Sequence, residues 1–135
     1  MTKHEGSCLC GSVHYAFEAE PLMVGACHCK NCQRQSGAPF SVICGVPEAA
    51  YEQTGITKTY QDKGDSGQAV ERVFCPECGS PILSRVGAMP GMVFIKAGTL
   101  DAPDQFSPSI ELYCDRRWPW MPELASQRFP LGFPG

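Results

Sequence analysis

The chain has 135 residues, 43% hydrophobic and 19% charged, with a formal net charge of −3. That length suits one domain spanning 1–135 with a real core, and the even spread of apolar residues excludes disorder as the main state. No stretch approaches about 18 uninterrupted apolar residues, which excludes a membrane-spanning helix, and the acidic balance argues against a nucleic-acid partner. The Met1–Ser7 segment lacks the apolar run of a secretory signal, so a reducing, cytoplasmic setting is expected, with His4 in a mobile end. From Gly11 to Glu18 the residues alternate, Val13, Tyr15 and Phe17 on one face and Ser12, His14, Ala16 and Glu18 on the other, which predicts a half-buried strand. A short helical turn follows Cys29 as far as Ser36, and Pro39–Val46 reads as a second strand. Tyr51–Asp62, broken at Thr54-Gly55, predicts a hairpin, and Lys63–Gly67 a turn. Val70–Cys75, Pro81–Val86, Met92–Ala97 and Ser109–Cys114 are four further strands, and a second helical turn is expected near Pro122–Ser126. The tail (Trp118, Pro119, Trp120, Phe129, Pro130, Phe133, Pro134) reads as an irregular strap across a sheet, and the class is mainly β with short helical turns.

Nine cysteines dominate the chemistry. An odd count without an export signal disfavours a disulfide scaffold and points to metal binding. In Cys75-Pro76-Glu77-Cys78-Gly79 two intervening residues let both sulfurs face one ion, and the glycine permits the turn that follows. A closed tetrahedral site needs two more ligands, and Cys8-Leu9-Cys10-Gly11 is the natural partner. A redox Cys-x-x-Cys is the competing reading, but such pairs open helices, whereas Pro81-Ile82-Leu83 is strand-like.

Cys27-His28-Cys29-Lys30-Asn31-Cys32 differs, with three cysteines in six residues and no fourth close by. Three protein ligands and an open position make the arrangement of catalytic zinc. The alternative is a second closed site completed by His28, Cys44 or Cys114. His28 lies between two ligands, so its side chain is expected to point away from the ion and act as a supporting donor. Cys44 and Cys114, single within apolar strands, read as small buried hydrophobes, and His14 as a surface residue.

In chain order, Cys8-x-Cys10-Gly11, Cys27-His28-Cys29-x-x-Cys32, Ser36-Gly37-Ala38-x-Phe40, Phe74-Cys75-x-x-Cys78-Gly79-Ser80 and Gly98-Thr99-Leu100-Asp101 form a pattern that resembles the glutathione-dependent formaldehyde-activating enzyme family (the GFA, or CENP-V, type). The resemblance runs from about Gly6 to about Trp120. It implies a β-tent, in which zinc holds leaning β-sheets together, with a structural Zn²⁺ on Cys8, Cys10, Cys75 and Cys78 and a catalytic Zn²⁺ on Cys27, Cys29 and Cys32. It also implies a carbon–sulfur lyase whose partner is a small thiol such as glutathione, the family's named reaction being formation of S-hydroxymethylglutathione from formaldehyde. The contrasting expectation is a non-catalytic, zinc-held β-module that binds a protein or a small thiol. Where members often carry His at the start of the last strand, this chain has Glu111. A thiol on the open position would be held as thiolate, ready to attack an aldehyde carbon. Seven ligand thiolates and two Zn²⁺ would take the net charge from −3 to about −6. An anionic thiol then needs a nearby cation, for which Lys30, Arg34 and Lys96 are the candidates.

Overall fold

The computed structural model describes residues 2–64 and 66–132, and they form two β-sheets with one short helix. In chain order the elements are β1 (His4–Ser7), β2 (His14–Phe17), β3 (Met23–Cys27), α1 (Lys30–Ser36), β4 (Ser41–Pro47), β5 (Tyr51–Thr54), β6 (Lys58–Lys63), β7 (Ala69–Phe74), β8 (Pro81–Val86), β9 (Met92–Lys96), β10 (Ile110–Leu112) and β11 (Gln127–Arg128), with single 3₁₀ turns between some of them. The small sheet has the order β1-β2-β5 and the large one β11-β10-β3-β4-β9-β8-β7-β6. Pairing is antiparallel except around β10, which runs parallel to both β3 and β11. No helix among the described residues is long and apolar enough to cross a membrane.

The alternation read from Val13 to Phe17 is the inner face of the small sheet: Val13, Tyr15 and Phe17 are buried, while His14 is exposed. They pack with Cys44, Val46, Val73, Ile82, Leu83, Val93 and Ile95 in the main core. Cys44 is therefore the small hydrophobe that its surroundings suggested. Gly6 in β1 forms an isolated antiparallel bridge with Leu100, just past the 3₁₀ turn that follows β9. A Cβ at Gly6 would run into the Tyr15 ring and the Thr99 carbonyl, so only glycine lets the strand approach.

Several expectations are corrected. His4 is not in a mobile end: it lies buried in β1, with its ring 5.1 Å from Phe17 and 5.0 Å from Phe106. Strand β3 was not foreseen, because Met-Val-Gly-Ala-Cys is short and lacks alternation. Tyr51–Asp62 is not a hairpin. The break at Thr54-Gly55 carries the chain from the small sheet, where β5 pairs with β2, to the far edge of the large one, where β6 pairs with β7. The last predicted strand stops at Leu112, so Cys114 lies half-buried in a 3₁₀ turn rather than inside a strand.

No helix forms near Pro122–Ser126, because the Leu124 and Ala125 N–H groups donate to the Glu111 carboxylate, at 2.9 and 3.0 Å, instead of to helical carbonyls. The tail does not cross a sheet but runs along the edge beside β10: the N–H of Phe129 donates to the Glu111 carbonyl and that of Tyr113 to the Leu131 carbonyl, both at 2.9 Å. Trp118 and Trp120 are exposed, with their ring centres 5.8 Å apart and their planes tilted by 56°. Phe133 and Pro134 lie outside the described residues.

Candidate metal centres

The turn between β1 and β2 carries Cys8 and Cys10, and the turn between β7 and β8 carries Cys75 and Cys78. The four sulfurs lie within 4.8 Å of one another. Cys8 Sγ is 3.6 Å from Cys10 Sγ, which is 3.8 Å from Cys75 Sγ. A tetrahedral zinc with bonds of about 2.3 Å spaces its sulfurs about 3.8 Å apart, so the donor set fits that ion in both chemistry and size. Gly79 takes the left-handed conformation (φ +79°) that closes the second turn, and its N–H donates to the Cys75 carbonyl at 2.9 Å.

Polar groups around the sulfurs favour thiolates. The Val13 N–H reaches Cys8 Sγ at 3.3 Å, the Ser12 hydroxyl lies 3.2 Å from Cys10 Sγ and 3.3 Å from Cys75 Sγ, and the Ser80 hydroxyl lies 3.2 Å from Cys78 Sγ. The Ser80 hydroxyl and N–H, with the Cys10 N–H, pull Cys78 down to about 5. Burial opposes ionisation of Cys8, yet the Val13 N–H and its neighbours bring it to about 7. Leu9 N–H donates to Ser80 Oγ at 3.0 Å, so the two turns also grip each other directly.

The second cluster is local. Cys27 ends β3, Cys29 caps α1 by accepting the Cys32 N–H at 3.3 Å, and Cys32 lies in the first turn of the helix. Their sulfurs also lie within 4.8 Å of one another. No fourth Cys, His, Asp or Glu joins them among the described residues, so His28, Cys44 and Cys114 do not close this site. Cys27 and Cys32 are buried and Cys29 half-buried. Hydrogen bonds from the Cys27 and Cys29 thiols, helped by the Lys96 and Arg72 charges and opposed by burial, hold Cys32 down at about 2. The same contacts, with burial, push Cys27 up. Three crowded thiols thus ionise one at the expense of the others, a conflict that a divalent cation removes; the soft sulfur set suits zinc.

The loop is held from behind. His28 is fully buried and its Nε2–H donates to Glu111 Oε1 at 2.8 Å, away from the sulfurs, as its position between two ligands implied. Glu111 Oε2 accepts from the N–H groups of Leu124 and Ala125 and from Arg128 Nε, at 2.9, 3.0 and 2.9 Å. Burial opposes the Glu111 charge, but Leu124, His28, Arg128 and Ala125 outweigh it and hold the carboxyl down at about 2. Gln33 Nε2 donates to the carbonyls of His28 and Arg116, at 2.9 and 3.1 Å, and so ties the helix to its own approach.

A cleft of about 530 Å³ opens over the three sulfurs. Of the three expected cations, Lys30 and Arg34 are exposed and do not line it, whereas Lys96 does. Lys96 is buried, with its Nζ donating to Ser41 Oγ at 2.9 Å. Burial pushes its ammonium below the ordinary range, while the Cys32 charge opposes that shift. Arg72 was not foreseen, although a charged residue between Val70 and Val73 was a visible sign. Its Nε donates to Asp62 Oδ2 at 2.8 Å, and its Nη1 points to Cys32 Sγ at 4.0 Å.

Among functionally curated proteins none matches the chain in sequence. A crystal structure of a Rhodobacter sphaeroides protein, a structural-genomics target, superposes with a TM-score of 0.58 at 19% identity, over 72% of this chain and 87% of that one, a likeness of fold alone. The sequence model of the family described as glutathione-dependent formaldehyde-activating enzyme matches residues 3–116, a span that contains both cysteine clusters and β1 to β10. With that match over most of its length, the chain belongs to the glutathione-dependent formaldehyde-activating enzyme family.

Proposed function

We propose that this protein is a zinc-dependent carbon–sulfur lyase that makes or breaks the bond between a small thiol and an aldehyde carbon. It holds two Zn²⁺ per chain, one closed by Cys8, Cys10, Cys75 and Cys78 and one carried by Cys27, Cys29 and Cys32 at the reacting centre. The observation that carries the reading is the contrast between the clusters: one offers four sulfurs, the other three sulfurs at a cleft with no fourth protein donor among the described residues. Nine unpaired thiols suit a reducing compartment such as the cytoplasm.

Zinc on the three sulfurs supplies an exchangeable position that keeps an incoming thiol ionised at neutral pH. The chain's own groups supply the rest. Lys96 and Arg72 place positive charge beside the sulfurs and offset the negative charge that accumulates when a further thiolate enters. The apolar side chains of Ile43, Phe94 and Leu112 in the lining limit water near the reacting atoms. In the forward direction the substrate sulfur bonds to the aldehyde carbon, the carbonyl electron pair moves to oxygen, and that oxygen takes up the proton lost by the thiol. The product is a hemithioacetal, and the reverse direction breaks the same carbon–sulfur bond. The family's thiol is glutathione and its aldehyde formaldehyde, which makes that pair the reference substrate.

The test is the rate of adduct formation from formaldehyde and a panel of thiols, with the spontaneous reaction subtracted. The zinc-loaded protein should exceed background at least tenfold with one or more thiols, Cys29→Ser should fall to background, and Cys44→Ala should retain the rate. No excess over background with any thiol would overturn the reading.

A further inference from the structure

The cleft over Cys27, Cys29 and Cys32 has a direction. Strand register orders its lining from the sulfurs outward. Cys27 is opposite Ser41 on β4, and Ser41 Oγ accepts the Lys96 ammonium. Lys96 is opposite Ile43, and two residues along β9 Phe94 begins a row through Ser84 on β8 to Arg72 on β7. The next row outward on β8 and β7 is Val86 opposite Val70. Beyond it the cleft is finished by the loops that carry Ser66, Gln68, Ala88 and Met89. Both lining cations therefore sit in the inner rows, and every described residue lining the outer part is uncharged.

Nor are the inner cations free to reach outward. Arg72 is fixed by Asp62 on one side and directed at Cys32 on the other, and Asp62 is itself held by Asn31 Nδ2 at 3.0 Å. Lys96 is buried against Ser41. Their charge is matched to the sulfurs. A carboxylate carried several bonds from a substrate sulfur would lie against buried Val70 and half-buried Val86 and Met89 with no cation to meet it, and would lose part of its hydration there, an unfavourable transfer. An uncharged tail would gain from the same burial, and about 530 Å³ suits a ligand of modest size.

We infer that the thiol this protein takes is a small alkyl or aryl thiol with an uncharged, apolar tail, in preference to a peptide thiol that carries carboxylates. The inference rests on the lyase reading and narrows its substrate class. The experiment uses the full chain loaded with cobalt(II) and follows the sulfur-to-cobalt absorption as thiol is added. The matched probes are 1-butanethiol and 3-mercaptopropionate, similar in length and in thiol basicity but differing in charge, with glutathione beside them. 1-Butanethiol should bind at least tenfold more tightly than either anionic thiol. Gln68→Lys, an exposed change that puts a cation on the outer wall, should tighten 3-mercaptopropionate several-fold, and no gain would overturn the outer wall as the source of the preference. Glutathione or 3-mercaptopropionate binding the unaltered protein as tightly as 1-butanethiol would overturn the inference and leave the lyase reading standing. A spectrum that no thiol perturbs would overturn both.

Discussion

Glu111 exposes no surface, yet its two carboxylate oxygens receive four hydrogen bonds, from His28, Leu124, Ala125 and Arg128. One oxygen faces the cysteine loop, 83 positions earlier in sequence, and the other gathers the C-terminal segment, 13 to 17 positions later, so a single side chain joins the two. Hydrogen bonds to a buried charge contribute more than neutral ones, and breaking such a network strands its remaining members. Glu111→Gln keeps the shape, loses the charge and puts an amide N–H₂ where one oxygen accepted. It should lower the free energy of unfolding by about 2–4 kcal/mol near neutral pH, measured by urea denaturation of the zinc-loaded proteins. The folded carboxyl is depressed from its ordinary 4.5 to about 2, so its stabilisation is complete above about pH 4.5 and drains as the pH falls toward 2. Between about pH 5.5 and 8, where zinc stays bound to its thiolates and the Glu111 carboxyl is fully ionised, the gap between the two proteins should therefore stay constant, and a gap that changed across that range would show that another titrating group is its source. In sequence Glu111 stood out as the residue found where similar proteins often carry His, and His28 as a supporting donor between two ligands. Their pairing was illegible because nothing local links them.

The elements hold the two clusters differently. Turns β1–β2 and β7–β8 belong to different sheets, and an ion on their four cysteines joins those sheets across 65 residues of chain between Cys10 and Cys75. Metal binding at such a site is folding free energy, of the order of 10 kcal/mol in small zinc domains. The Cys27–Cys32 loop is continuous and is fixed independently by the helix cap, Gln33 and Glu111. Cys75→Ser should therefore abolish soluble folding, while Cys29→Ser should give a folded protein with unchanged far-ultraviolet circular dichroism. Equal collapse of both would mean that the second cluster is structural too. Both cysteine patterns were readable because ligand spacing is decided within one turn. Strand β8 was readable to its ends because Pro81 and Gly87 bound it. Strand β3 was not, since its Gly25 interrupts the apolar run and its place is set by β4 and β10 on either side. The expected hairpin failed because Gly55 marks a change of sheet, a decision made by the partners β2 and β7 rather than by the turn residues.

At the scale of the molecule, the large sheet does two jobs. One face packs Cys44, Val46, Val93 and Ile95 against the small sheet, and the other presents Ile43, Phe94, Ser84, Arg72 and Lys96 to the cleft. The alternation of β4 and β9 thus gives a core and a functional wall from the same residues' neighbours. Opposite ends of strand β7 serve the two clusters: it runs from the cleft, at Val70 and Arg72, into Cys75. The central claim is that the two clusters hold two ions with unequal sets of protein sulfurs. X-ray absorption at the zinc edge, on full-length protein with its zinc content measured, reads this directly. The account predicts two zinc ions per chain and, averaged over both, about 3.5 sulfurs with a lighter donor making up the rest, rising to about four sulfurs when a small thiol is added. One zinc per chain after repletion, or four sulfurs per zinc before any thiol is added, would contradict it.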